Sequence, residues 1–113
     1  MITNLDTWLT VAQNEKRAES FISRFLGLMG RKRFPEACDA LIFKRCSSIH
    51  CFFMRMEIDV VFINRHGRVV KIFSRLKPWR VAFGGPQSRD VIELPAGTLE
   101  RTRTKPGHHL KFD

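Results

Sequence analysis

The sequence predicts an α+β, mainly β fold: a small antiparallel, partly closed barrel-like sheet with one packed helix. Three observations predict it. Ile58–Ile63 (IDVVFI) is β-branched and aromatic without a breaker, and a Gly-containing turn, Asn64-Arg65-His66-Gly67, hands it to a second such run, RVVKIF at 68–73. One segment, residues 15–29, carries apolar residues at helical spacing. The other apolar runs are short and follow one another without intervening helices, which argues against parallel βαβ units.

Taken in order, residues 7–12 (TWLTVA) read as a first strand. Asn14 suits a helix N-cap, and Glu15 suits the first turn, where the helix dipole favours an anion. Ala18, Phe21, Ile22, Phe25, Leu26 and Met29 then recur three and four apart, one apolar face directed at a core. Gly30 ends that helix, and Arg31, Lys32 and Arg33 suit its negative end. Phe34-Pro35-Glu36-Ala37 connects to a short strand, Ala40–Phe43, and a polar loop at 44–48. In the central stretch, Val60 and Phe62 lie at one parity and Val61 and Ile63 at the other, so the strand should be buried on both faces. After the hairpin, Leu76-Lys77-Pro78-Trp79-Arg80 interrupts the pattern because proline lacks a ladder donor. Val81–Phe83 is a strand, 84–88 a loop and 91–94 a strand; Pro95-Ala96-Gly97 turns into a helical piece at 98–101. Lys105-Pro106-Gly107 is a turn before a final alternating strand with Leu110 and Phe112. No repeat, low-complexity tract or linker divides the chain, so residues 1–113 read as a single domain.

Charge supplies the functional readings. Just before the central strand, Arg55, Glu57 and Asp59 alternate with Met54, Met56 and Ile58, placing three charges on one face. Such a face is either a solvated edge with cross-strand ion pairs or the wall of a polar cleft. On the cleft reading, His50, Arg55 and Arg80 form the binding site of a non-enzymatic binding or accessory domain, taking an anionic small ligand or a protein segment. The alternative is a nucleic-acid-associated protein. The formal net charge is +9, and between Val60 and Arg89 there is no Asp or Glu against seven Lys or Arg. Arg65, Arg68 and Lys71 would then carry the contact, although the same charge also serves solubility. Trp79, Phe83 and Phe53 lie among Arg55, Arg75, Lys77 and Arg80, which would suit stacking on a single strand; the preferred reading of these aromatics is core packing.

An enzyme is the third reading, and no catalytic residue is assigned. Cys46 with His50, oriented by Asp59, has the right residue types for nucleophilic catalysis, but no nucleophile elbow, protease signature, Walker loop or dinucleotide fingerprint is present. Cys46, His50 and Cys51 with His108 or His109 would make four zinc ligands, yet adjacent strand residues point to opposite faces. No metal or cofactor is expected. No stretch approaches the roughly 18 apolar residues of a membrane span, and the first residues lack a signal-peptide pattern, so a cytoplasmic location with reduced thiols is expected.

Five segments fall into one pattern: RFLGLMGRKRFPEACDALIF, SIHCFFMRMEIDVVFINRHGRVVKI, LKPWR, VIELPAGT and KPGHHLKF. Together they resemble the bacterial and archaeal family called domain of unknown function 192, over roughly residues 10–112. The carrying positions are Gly27, Leu28 and Met29; Phe52, Phe53, Met54 and Arg55; Ile58, Asp59 and Gly67; and Glu93, Leu94, Ala96 and Gly97. Pro78-Trp79-Arg80 after the hairpin resembles the shorter branch of that family. The resemblance implies a compact mainly-β domain with a helix and no established activity; many relatives carry export signals. Two positions depart from the family pattern. Met56-Glu57 stands where relatives often have an apolar residue and Pro, and His108 stands where they usually have Asp. If that Asp acts chemically, this chain has lost it.

Overall fold

The structure, a computed structural model, describes residues 1–18, 33–35, 37–50 and 55–113, with the side chain of His50 also outside the description. Among the described residues the elements are β1 (Ile2–Asn4), β2 (Thr10–Ala12), β3 (Glu15–Arg17), β4 (Ala40–Phe43), β5 (Ser48–His50), β6 (Ile58–Ile63), β7 (Val69–Leu76), β8 (Val81–Phe83), β9 (Asp90–Pro95), α1 (Thr98–Thr102) and β10 (Leu110–Phe112). The chain is mainly β with a short helix. Its sheets are layered: a central sheet in the order β3-β4-β9-β6-β7, an antiparallel sheet β10-β1-β2, and a two-stranded ribbon β5-β8. Among the described residues they do not close into a barrel.

The central hairpin forms as its sequence demands. All six residues of β6 are buried, because β7 and β9 flank it antiparallel and layers cover both faces. Asn64 closes the turn with its side chain, Oδ1 accepting the N–H groups of His66 (2.9 Å) and Arg68 (3.0 Å). Gly67 adopts φ 78°, and a Cβ there would meet the Leu110 carbonyl oxygen at 2.9 Å, so β10 can approach only a glycine.

Strand alternation divides the core in two. Val61, Ile63, Ile42, Ile92 and Leu94 face Ile2, Val11, Leu99 and Leu110 of the three-stranded sheet and α1. Val60, Phe62, Phe43 and Val91 face Ile49 and Ala82 of the ribbon. The ribbon is thus the outer layer on one side of the central sheet.

The N-terminal third departs from the sequence pattern. Residues 15–17 are not the first turn of a helix: Glu15, Lys16 and Arg17 pair in parallel with Ala40, Leu41 and Ile42. Asp39 explains this, since its carboxylate accepts the N–H groups of Gln13 and Asn14, both at 2.8 Å. Asn14 is therefore a donor into a connecting turn, not a cap. The rest of the expected helix, with Phe21, Ile22 and Phe25, lies outside the described residues. Of the strand expected at 7–12, only Thr10–Ala12 is extended. Asn4 Oδ1 accepts the N–H groups of Asp6 (2.8 Å) and Thr7 (3.1 Å), folding the chain into a turn after β1, which the sequence did not announce.

Candidate functional site

The ribbon is held by its strand pairing and by tethers beyond its Ser48–Phe83 end. Ser48 pairs with Phe83, Ile49 with Ala82 and His50 with Val81. The Gly84 N–H donates to the Ser47 carbonyl (2.8 Å), and the Arg89 N–H to that of Ile63 (2.8 Å). Gly84 presses on the central sheet so closely that a Cβ would overlap the Phe62 ring and Ser88 Oγ. With Ile49 and Ala82 turned inward, alternation turns the neighbours outward: Val81 is 45% and Phe83 62% exposed. Trp79, in the turn before β8 with φ 64°, is 56% exposed. These are not core aromatics, contrary to the preferred sequence reading of Trp79 and Phe83.

The pairing of His50 with Val81 sets the backbone of His50 beside Arg80 at one end of the ribbon. Arg80 and Arg55 are both exposed. Arg55 stands just ahead of β6, three residues before Ile58. The three cations of the nucleic-acid reading lie elsewhere. Arg65 occupies the hairpin turn, its Nε 3.3 Å from His66 Nε2. Arg68 donates to the Gly107 carbonyl (3.3 Å), and Lys71 Nζ sits 5.1 Å from the centroid of the Phe73 ring. All three are exposed: Arg65 in the turn, Arg68 just before β7, and Lys71 within β7, the edge of the central sheet, where a cation also blocks edge-to-edge pairing.

Two buried carboxylates, Asp59 and Glu93, carry more weight than their sequence context suggests. Asp59, assigned to a solvated charged face, is 0% exposed. Its two oxygens accept the N–H groups of Arg75 and Leu99, both at 2.8 Å. Arg75 sits at φ 53° where the β6–β7 register shifts, and Leu99 lies in the first turn of α1. One side chain therefore holds a bulge and a helix start.

Glu93 is the opposite case. It lies in β9 between Leu41 and Val60, on the ribbon side of the sheet with Val91, and is 6% exposed. Among the described residues no side-chain hydrogen bond or ion pair reaches its carboxyl. Burial pushes its pKa from 4.5 up to about 8, which favours the neutral carboxylic acid. The available signal was an acid inside the apolar run VIEL.

Cys46 Sγ contacts the Ser48 carbonyl oxygen at 2.8 Å. Among the described residues no group of three or more His, Cys, Asp or Glu is placed to hold a metal ion. A cleft of about 350 Å³ is lined by Asp6, Thr7, Arg103, Lys105 and His108. There His108 Nδ1 accepts the Lys105 N–H (3.2 Å) and meets Asn4 Nδ2 at 3.1 Å. A carboxylate could accept the same two bonds, so an Asp at this position would have a turn-closing role that His108 retains. No helix among the described residues is long and apolar enough to cross a membrane.

Comparison with known proteins agrees with this fold. The family model described as DUF192, uncharacterized ACR, matches residues 5–112. A UPF0127 protein of Pyrococcus horikoshii is 37% identical over 118 residues, covering 99% of this chain and 98% of that one. A crystal structure of a protein of unknown function from Novosphingobium aromaticivorans superposes with TM-score 0.75 at 20% identity, covering 87% of this chain and 74% of that one. So does one described as a candidate transcription regulator from Sinorhizobium meliloti, at 0.75 and 23%, covering 86% and 79%. At those identities the two structures show a shared fold alone.

Proposed function

The chain belongs to the DUF192 family, whose description assigns no activity, and we propose from its surface that it is a non-enzymatic binding domain working through the β5–β8 ribbon. The carrying observation is the outward face of that ribbon, with Val81 at 45% and Phe83 at 62% exposure beside the exposed Arg80. Apolar surface left in water forgoes roughly 25 cal/mol for each Å² not buried, so a ligand that covers it gains what folding did not. Arg80, His50 and Arg55 supply the polar and cationic part of the contact, suited to an anionic small ligand or a protein segment. No metal or cofactor enters this reading.

A thermal-shift screen of anionic ligands and acidic peptides tests it, on the native chain and on His50→Ala, Arg55→Ala and Arg80→Ala. Residues kept for a ligand should leave the denaturant midpoint near that of the native chain when replaced, while the ligand-induced rise in melting temperature disappears. If all three variants lose more than about 1 kcal/mol, the cluster is scaffold and the assignment fails.

The competing reading puts nucleic acid on the β6–β7 hairpin, favoured by the exposure of Arg65 and Arg68 at its turn and of Lys71 in β7. It predicts affinity that falls steeply with salt and is lost when all three are reversed to Glu.

A further inference from the structure

We infer that the ribbon's ligand is single-stranded nucleic acid, stacked on Phe83 and Trp79 and held by Arg80 and Lys77; this rests on the ribbon being a binding surface and goes beyond the small anion or protein segment named above. Four observations carry it. Both rings are more than half exposed. Lys77 and Arg80 are exposed on either side of Trp79. No acidic residue occurs between Val60 and Arg89, against seven basic ones, so an anionic chain crosses this surface without meeting a like charge from that stretch. The outward residue opposite Phe83 is Ser48, which is small and exposed and leaves the ring's surroundings open.

Geometry selects a single strand over a duplex. Trp79 and Phe83 stand four residues apart in the chain, and even outward strand residues two apart are about 6.6 Å apart, nearly twice the roughly 3.4 Å between stacked bases. Bases can engage Phe83 and the turn at Trp79 together only if they are splayed apart, as in a single strand. A duplex offers base edges in its grooves, and reading them needs hydrogen-bonding side chains. Val81 and Phe83 offer none. An acidic protein segment would use the same cations but offers a planar face only where it carries an aromatic residue, whereas every base has one.

Only Trp8 and Trp79 are tryptophans, and Trp8 lies in the turn before β2, so Trp8→Phe leaves Trp79 as the sole indole reporter on the ribbon. Emission of this variant is titrated with a mixed-sequence single-stranded 12-mer, the matching blunt duplex, and a poly-glutamate peptide of equal charge. Quenching by the single strand is expected, with at least about tenfold weaker binding to the other two. In the same background Phe83→Thr should weaken single-strand binding about tenfold. With two phosphates neutralised, raising salt from 50 to 200 mM should weaken it roughly sevenfold.

Equal binding of poly-glutamate, or preference for the duplex, overturns the stacking inference. So does binding that survives Phe83→Thr and Arg80→Ala but vanishes when Arg65, Arg68 and Lys71 are reversed to Glu; the hairpin would then be the nucleic-acid surface. If no oligonucleotide binds but a small anion raises the melting temperature in an Arg80-dependent way, the ligand class is wrong and the binding reading stands. If neither occurs, both fall.

Discussion

Strands β6 and β8 have similar composition, and the fold treats them in opposite ways. Every residue of β6 is at most 2% exposed, whereas β8 shows two of its three side chains, Val81 and Phe83, to water. Residue type does not make this difference; position in the layers does. β6 lies second from the edge of the central sheet, with β9 and β7 beside it, the three-stranded sheet with α1 over one face and the ribbon over the other. β8 belongs to that covering ribbon, so only its inner face can be buried. In β6 a polar group must be satisfied inside the protein or neutralised. In β8 a large apolar group is left for something else to cover.

The largest effect should come from the centre. Asp59→Ala removes the acceptor of two buried N–H groups, one at the β7 bulge and one at the start of α1. Each bond to a charged acceptor contributes about 1.5–3 kcal/mol, so a loss of roughly 3–5 kcal/mol in urea unfolding is expected. A loss below about 1 kcal/mol would mean that the bulge and helix hold without it and that the centre is no more demanding than the ribbon.

Next is Glu93, central but unpaired among the described residues. Its folded pKa of about 8 lies above its ordinary 4.5, so between these values the folded state binds more protons than the unfolded one. Stability is therefore undiminished below pH 4.5, falls as pH rises through the window, and levels off above about 8. At 1.36 kcal/mol per pH unit, and allowing the strands to relax as charge forms, the fall should be on the order of 3 kcal/mol. Glu93→Gln should flatten that part of the profile. A native chain as stable at pH 8.5 as at pH 5 would show a partner for the carboxylate and remove the contrast with Asp59.

A smaller effect is expected in the layer opposite the ribbon. His108→Ala deletes an acceptor shared by Lys105 N–H and Asn4 Nδ2, a loss of about 1–2 kcal/mol. His108→Asp should recover most of it by offering the same acceptors. If Asp does no better than Ala, the imidazole contributes by packing against the turn, and the equivalence argued for this position is wrong.

What the sequence showed depended on how much pattern each element had to offer. Six residues with apolar groups at both parities, bounded by Asn64 and Gly67, specified β6, its partner and its burial. Ala40–Phe43, Val81–Phe83, the helical piece after Gly97 and the last strand were also legible, because Gly and Pro punctuate them. The face that β8 buries was not, since three residues give one alternation and Ala82 does not outweigh Val81 and Phe83. β3 was misread because its strand pairing comes from Asp39, more than twenty positions away in the chain. Asp59 and Glu93 were hidden for the same reason: whether an acid in a strand is solvated, satisfied or neutral depends on the strands beside it. For the candidate site, Arg80 lies at the surface, one residue from Val81, the partner of His50. The aromatic stripe next to it was assigned to the core.

The smallest expected effect is the most informative about the ribbon. Phe83→Thr keeps a β-branched residue in the strand, so strand propensity changes little. The ring it removes is 62% exposed, and its cross-strand partner is Ser48, which offers it little to pack on. Stability should therefore stay within about 0.5 kcal/mol of the native chain, measured as a denaturant midpoint at unchanged slope. Removing exposed apolar surface should also raise solubility. A loss above about 1 kcal/mol would show that Phe83 packs against the fold in solution. The outward stripe would then be scaffold, as β6 is, and no ligand would be needed to account for an aromatic left in water.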